Sequence, residues 1–291
     1  MANLKEIRTR ISSITSTRQI TSAMKMVSAA KLKRAQDHIT ELRPYSEKLS
    51  QILENISSGL SGSDSIYTKH GEGNNVLIVS ISSNRGLCGP FNANIIKQTK
   101  VLIEDTYKDK SITLLTAGKK VTEAFKHTEY AIHGTTLPRN LDNVFDDLTF
   151  ENIASVTETL MDVYSHKQFD KVVVVYNQFK NAAVQNVMVE QLLPVVVEEG
   201  AEDNNSDYIF EPNQSEIIEN LIPKALKIQM FKAFLDSHAS EHGARMTAMH
   251  KATDNAGELL DDLQLTYNKA RQAAITNEIL EIVGGAEALN G

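Results

Sequence analysis

After Pro223 the chain runs for 68 residues without a proline, and a single ladder of side chains can be followed through that stretch. Ile228, Phe231, Leu235, His238, His242, Arg245, Met249, Ala252, Ala256, Leu260, Leu263, Tyr267, Ala270 and Ala274 succeed one another at steps of three or four. That spacing keeps one narrow stripe on one face of a helix. A helix from Lys224 to Val283 would be roughly 90 Å long at about 1.5 Å per residue, far more than the core of a small domain needs. A stripe this narrow asks for another helix as its partner.

The N-terminus offers one. Leu4, Ile7, Ile11 and Ile14 keep the same spacing, and the apolar stripe is expected to resume out of phase after Arg18, at Ile20, Met24 and Val27. It continues through Leu32, Ala35, Ile39 and Leu42 to Pro44, which should kink or interrupt the helix because proline loses a backbone hydrogen bond. "SSGLSGSDS" then reads as a stop and a linker. Two long terminal helices that leave and enter the same central region should pair antiparallel, with Ala252, Ala256, Ala270 and Ala274 allowing close approach while burying little area. Much of such a pair needs a surrounding partner.

Between the helices the pattern changes. "NVLIVSI" from residue 75 is a short β-rich run, followed by the glycine-bearing turn "SSNRGLCGPFN" and a helical pattern from Ala93 to about Tyr107. "SITLLTAG" begins a second strand and helix through Phe125; a helix from about Asn152 to His166 precedes the strands "FDKVVVVYNQF" and "VQNVMVEQLLPVVV". Alternating strands and helices predict an α/β layer with a largely parallel sheet. The acidic segment "EEGAEDNNSD" closes it. The expected division is 1–58 for the N-terminal long helix, 75–200 for the central α/β domain and 213–289 for the C-terminal long helix.

Composition narrows the function. No run of the 291 residues approaches the apolar length of about 18 that a membrane span requires, so direct membrane insertion is not expected. Cys88 is the only cysteine, which rules out an internal disulfide and fits a reducing compartment. The net charge of −7 conceals a basic arm: residues 1–36 carry eight Lys/Arg against Glu6 alone. Nucleic acid, an acidic membrane surface or an acidic protein surface would each complement it. The arm contains no aromatic residue for base stacking, so nucleic acid is not expected, and an acidic protein ring is the favoured partner.

Two motifs invite catalytic readings. "HASEH", His238 to His242, fits an inverted zincin pattern, with two histidines on one helical face and a glutamate as base. Both histidines fall on the seam, however, where neither a third ligand nor an open coordination position is expected. No metal and no catalytic residue are therefore expected, and the imidazoles should be neutral beside the basic N-terminal helix. The loop "NRGLCGPFN" sits between strand and helix, the usual place of a phosphate loop, but lacks the Walker lysine and the dinucleotide glycine pattern. It reads as a tight turn, with Cys88 packed and no cofactor bound.

"ITSAMKMVSAAKLKRAQ", "SSNRGLCGPFN" and "ARMTAMHKATDNAGELLDDLQLTYNKARQAAITNEILEIVGGAEAL", in that order, resemble the gamma subunit of F-type ATP synthases over residues 4–289. The resemblance implies a fold of the α/β class, with a long antiparallel coiled coil of the N- and C-terminal helices and a central Rossmann-like α/β domain. It also implies a non-catalytic rotor shaft of a proton-driven enzyme. Its partners would be three alpha and three beta subunits, the epsilon subunit and the membrane rotor ring of c subunits, on the cytoplasmic side of a bacterial membrane.

The same resemblance assigns contact residues. Met24 and Lys25 would lie near an acidic lever of beta, and Arg245, Gln272, Thr276 and Glu278 on a helix face used for rotor–stator contact. Tyr208, Phe210 and Glu211 in "DYIFEP" would form the foot on the rotor ring. Ile275 to Leu289 would run in the upper bearing, with Gly284 and Gly285 loosening its last turn.

Overall fold

A computed structural model describes residues 4–57, 66–67, 73–132, 137–195 and 214–290. The elements in order are α1 (Leu4–Ser57), β1 (Asn75–Ile81), α2 (Phe91–Val101) with a wide turn over Leu102–Thr106, β2 (Ser111–Ala117) and α3 (Lys119–Phe125). After a short 3-10 turn at Asp142–Phe145 come α4 (Phe150–Ser165), β3 (Lys171–Phe179), β4 (Gln185–Leu193) and α5 (Gln214–Asn290). The chain divides into two compact units, Met1–Ser28 with Met246–Gly291, and Ala29–Arg245. The two long helices contribute to both.

Within Ala29–Arg245 the sheet order is β2-β1-β3-β4. β1 pairs in parallel with β2 and β3, whereas β4 returns antiparallel to β3. The sheet is thus mixed, because a turn at 180–184 joins β3 to β4 directly and leaves no room for a crossover helix. Strand alternation sorts the core into two layers. Leu77, Val79, Ile81, Val172, Val174 and Tyr176 pack with Ile153 and Leu160 of α4 and with Ile222, Leu226, Met230 and Phe234 of α5. Val76, Ile78, Val173 and Val175 face the other way, onto Ile95 of α2 and Val121 and Phe125 of α3. Each such apolar side chain, fully buried, contributes about 1.5–3 kcal/mol.

Local signals place the helix starts. Thr149 caps α4 by accepting from the Asn152 amide. Ser82, at the end of β1, accepts from the Val121 amide in the first turn of α3. Gly118 precedes that turn at φ +100, and a Cβ there would meet the Ser82 carbonyl at 2.4 Å, so only glycine fits.

Two sequence expectations about the helices are corrected. Pro44 does not interrupt α1, which is continuous through it; Thr40 and Pro44 are both exposed, so the carbonyl deprived of its partner is free to meet water. α5 likewise begins before Pro223, at Gln214. The second correction concerns phase. Ile20 and Val27 are 60% and 58% exposed, while Thr21 and Ser28 are buried. The α1 seam never slips: it runs Ile7, Ile11, Ile14, Arg18, Thr21, Lys25, Ser28, Leu32, Ala35 and Ile39 in one unbroken alternation of four and three. Two hydroxyls occupy apolar positions because the helix itself satisfies them, Thr21 donating to the Arg18 carbonyl and Ser28 to that of Met24.

Candidate functional site

In the unit Met1–Ser28 with Met246–Gly291, the helices meet at three recognisable levels. Lys25 Nζ lies 3.5 Å from His250 Nδ1, Thr253 donates to the Thr21 hydroxyl at 2.8 Å, and a Cβ placed on Gly257 would lie 3.8 Å from the Arg18 guanidinium. Residue numbers fall on α1 as they rise on α5, so the pairing is antiparallel. Continued at that register, Leu4 stands level with Arg271. From Arg271 to Ala286 every α5 side chain is exposed.

That register locates the residues assigned from sequence. Met24 and Lys25 are half-buried in the helix pair, with Ile20, Met26 and Val27 exposed around them. Gln272, Thr276 and Glu278 are exposed on the unpaired end of α5, where Thr276 donates to the Gln272 carbonyl. Beside them Ile275, Ile279, Ile282 and Val283 form an apolar stripe at spacings of four, three and one, between 48% and 66% exposed. Eight cations line α1 between Lys5 and Arg34, all but Lys25 exposed. Tyr208, Phe210 and Glu211 lie outside the described residues. Sequence reading missed Ile20 and Val27 as surface residues; the unbroken heptad through Thr21 and Ser28 was the signal that reveals them.

Arg245 lies elsewhere, in the unit Ala29–Arg245, and is buried. Its guanidinium makes a 2.7 Å ion pair with Glu241 and donates to the Arg85 carbonyl at 3.1 Å and the Gly86 carbonyl at 3.3 Å. One side chain thus fastens α5 to the turn between β1 and α2. The polar atoms of that turn are engaged internally: Ser83 donates to the Arg85 carbonyl and its amide to Asn92, while Asn84 bridges Asp142 and the Lys119 amide. Leu87 and Gly89 complete the turn at positive φ. Cys88 is 1% exposed, packed on Phe91 and Ala244, and burial raises its thiol pKa.

The two histidines of the zincin-like motif stand edge to face, their Nε2 atoms 3.2 Å apart, so one ring donates and the other accepts. The sequence placed them on a seam facing one helix, with no domain around them. In the structure α5 is buried on nearly every side from Ala233 to Arg245, because the sheet also covers it: Ser240 donates to the Asn177 carbonyl, and Gly243 brings the backbone within 3.1 Å of Ala182 Cα, measured from a Cβ placed there. Burial, then the charges of Lys31, Arg245 and His38, pushes His238 down to about 4; burial, His238, Arg245 and Lys31 push His242 down to about 3. Both rings are neutral at neutral pH. Among the described residues no cluster of three or more His, Cys, Asp or Glu is arranged to hold a metal.

A family model described as ATP synthase matches residues 3–289. Curated relatives align end to end: the ATP synthase gamma chain of Christiangramia forsetii is 59% identical and that of Flavobacterium johnsoniae 56%, each over the full length of both chains. This chain belongs to the ATP synthase gamma-chain family. Solved mitochondrial ATP synthase structures contain chains of the same fold. A Euglena gracilis mitochondrial ATP synthase chain covers 98% of this chain and 94% of its own length at TM-score 0.69 and 21% identity. A chain of the Tetrahymena thermophila mitochondrial ATP synthase central stalk and c-ring reaches TM-score 0.57 at 25% identity, covering 80% and 99%. Like the family's other members it is part of a complex, and among its described residues no helix is long and apolar enough to cross a membrane.

Proposed function

We propose that this chain is the central rotor shaft of a bacterial, proton-driven ATP synthase, non-catalytic itself and held on the cytoplasmic face of the membrane through its partners. Those partners are three alpha and three beta subunits, the epsilon subunit and the membrane ring of c subunits. The observation that carries the reading is end-to-end identity with gamma chains, joined to a C-terminal helix that outruns its partner and leaves an apolar stripe uncovered. Exposed apolar surface of that kind marks an interaction site.

The physics of the role follows from asymmetry. A single shaft in a threefold ring presents a different face to each beta subunit, so each is biased toward a different conformation. Turning the shaft passes those biases around the ring, and the free energy coupled is limited to the difference in contact energy between states. Ile20, Met26 and Val27 with Met24 and Lys25 form one contact face in this proposal, and Gln272, Thr276 and Glu278 with Ile275 to Val283 another. Arg245 takes an indirect part, because it holds the Arg85–Gly86 turn. Tyr208, Phe210 and Glu211 are proposed as the foot on the rotor ring.

Affinity purification of the tagged chain from detergent-solubilised membranes tests the reading. Alpha, beta and epsilon subunits should be recovered with it, and the isolated chain should hydrolyse no ATP. Recovery of the chain without any of them would sink the proposal.

A further inference from the structure

Within Ala29–Arg245, a cavity of about 490 Å³ opens between α1, the β3–β4 turn and α5, lined by Arg43, Ser46, Gln178, Phe179, Asn186 and two lysines, Lys180 and Lys232. Its volume falls in the range of small-ligand sites, about 300–1,000 Å³. Three cations reach it from three separate elements, and no carboxylate is among its described lining residues. None of the three cations is ion-paired among the described residues. This concentration of positive charge stands in a chain of net charge −7.

We infer that the cavity binds a small soluble polyphosphate anion, with Arg43, Lys180 and Lys232 as its charge partners and Ser46, Gln178 and Asn186 as hydrogen-bonding groups. Arginine supplies a planar fork and the lysines mobile point charges, the combination suited to phosphoryl oxygens. Three like charges around one cavity repel each other, and a polyanion relieves that repulsion. The lining also argues against a lipid headgroup: Phe179 is the one apolar side chain among the described residues there, which leaves no apolar rim for acyl chains. Behind the cations lies Asp236, fully buried, whose carboxyl feels both Lys232 and Arg43. It opposes an incoming anion and sets a limit on affinity. A bound anion would tie α1 to α5 and the β3–β4 turn, independently of the rotor reading.

Titration calorimetry of the full chain with pyrophosphate tests the site, with inorganic phosphate as a weaker probe. Saturable one-to-one binding is expected, weakened about tenfold or more by Lys180→Gln with Lys232→Gln, and tightened by Asp236→Asn. Lys97→Gln, an exposed control on α2, should leave binding unchanged. Circular dichroism confirms that the variants fold, and since Lys180 is exposed, Lys180→Gln alone provides a variant that keeps the fold. The inference is overturned by absence of saturable binding, by cavity variants that bind like the parent, or by equal weakening in Lys97→Gln. Sedimentation with phosphatidylglycerol vesicles that pyrophosphate fails to reverse would also overturn it in favour of a lipid surface.

Discussion

The guanidinium of Arg245 donates to the backbone carbonyl of Arg85 at 3.1 Å, which joins the longest helix of the chain to the turn after its first strand. The same fork neutralises Glu241, itself buried. Arg245→Gln should therefore destabilise the chain by about 3–5 kcal/mol, because it strands a buried carboxylate. Glu241→Gln added to it should recover part of that loss. Arg245→Lys keeps the charge but loses the fork, and an intermediate loss is expected. Chemical denaturation of the four proteins measures this directly.

The histidine pair gives stability a pH dependence. Both folded-state pKa values lie below the ordinary 6.5, at about 4 for His238 and about 3 for His242. The neutral forms are the ones the fold accepts, so the contribution is complete above about pH 6.5 and falls away as pH drops toward 4 and then 3. His238→Gln with His242→Gln should flatten the acid-side loss of melting temperature between pH 6.5 and about 4. A parallel acid limb in parent and variant would refute it.

Asp236 acts in the opposite sense. Burial raises its carboxyl to about 6 against the pull of Lys232 and Arg43. Apart from a weak pull by the Phe179 amide, its oxygens have no hydrogen-bond partner among the described residues. A raised folded pKa gives stability present below about pH 4 and lost as pH rises through 6. Asp236→Asn should thus stabilise the chain at pH 7, by roughly 1–3 kcal/mol, with the gain disappearing toward pH 4. Melting curves at the two pH values decide the sign.

The helical phase makes a separate prediction. Ile20→Ser and Val27→Ser alter exposed positions and should change stability by no more than about 0.5 kcal/mol. Thr21→Asp and Ser28→Asp place a charge in the seam and should each cost more than about 1 kcal/mol. In the assembled enzyme Met24→Lys should lower ATP made per proton more than it lowers assembly, if the proposed contact face meets an acidic lever there and the added positive charge alters that contact. Equal ATP yield in mutant and parent would count against this contact.

The two long helices and the strand–helix alternation were legible in the sequence because each rests on a local period. The α5 ladder from Ile228 to Leu260 is buried or half-buried throughout. What local reading could not reach depended on neighbours. Thr21 and Ser28 look like breaks in an apolar stripe until their hydroxyls are seen bonded to their own helix. Arg245 could be placed in the helix seam from its spacing, but only the approach of the Arg85–Gly86 turn explains what its guanidinium holds. The antiparallel return of β4 followed from a turn length, and the cluster of Arg43, Lys180 and Lys232 joins positions far apart in the chain.

A shaft must turn inside its ring, and that turning can be watched in single assemblies. A bead fixed to Leu87, an exposed turn residue, would report the motion of this chain in an immobilised assembly of alpha and beta subunits supplied with ATP. Unidirectional turning with three equal pauses per revolution is expected, and the turning should become irregular when Gln272 to Gly291 is removed. A bead that stays fixed while the assembly hydrolyses ATP at its full rate would contradict it.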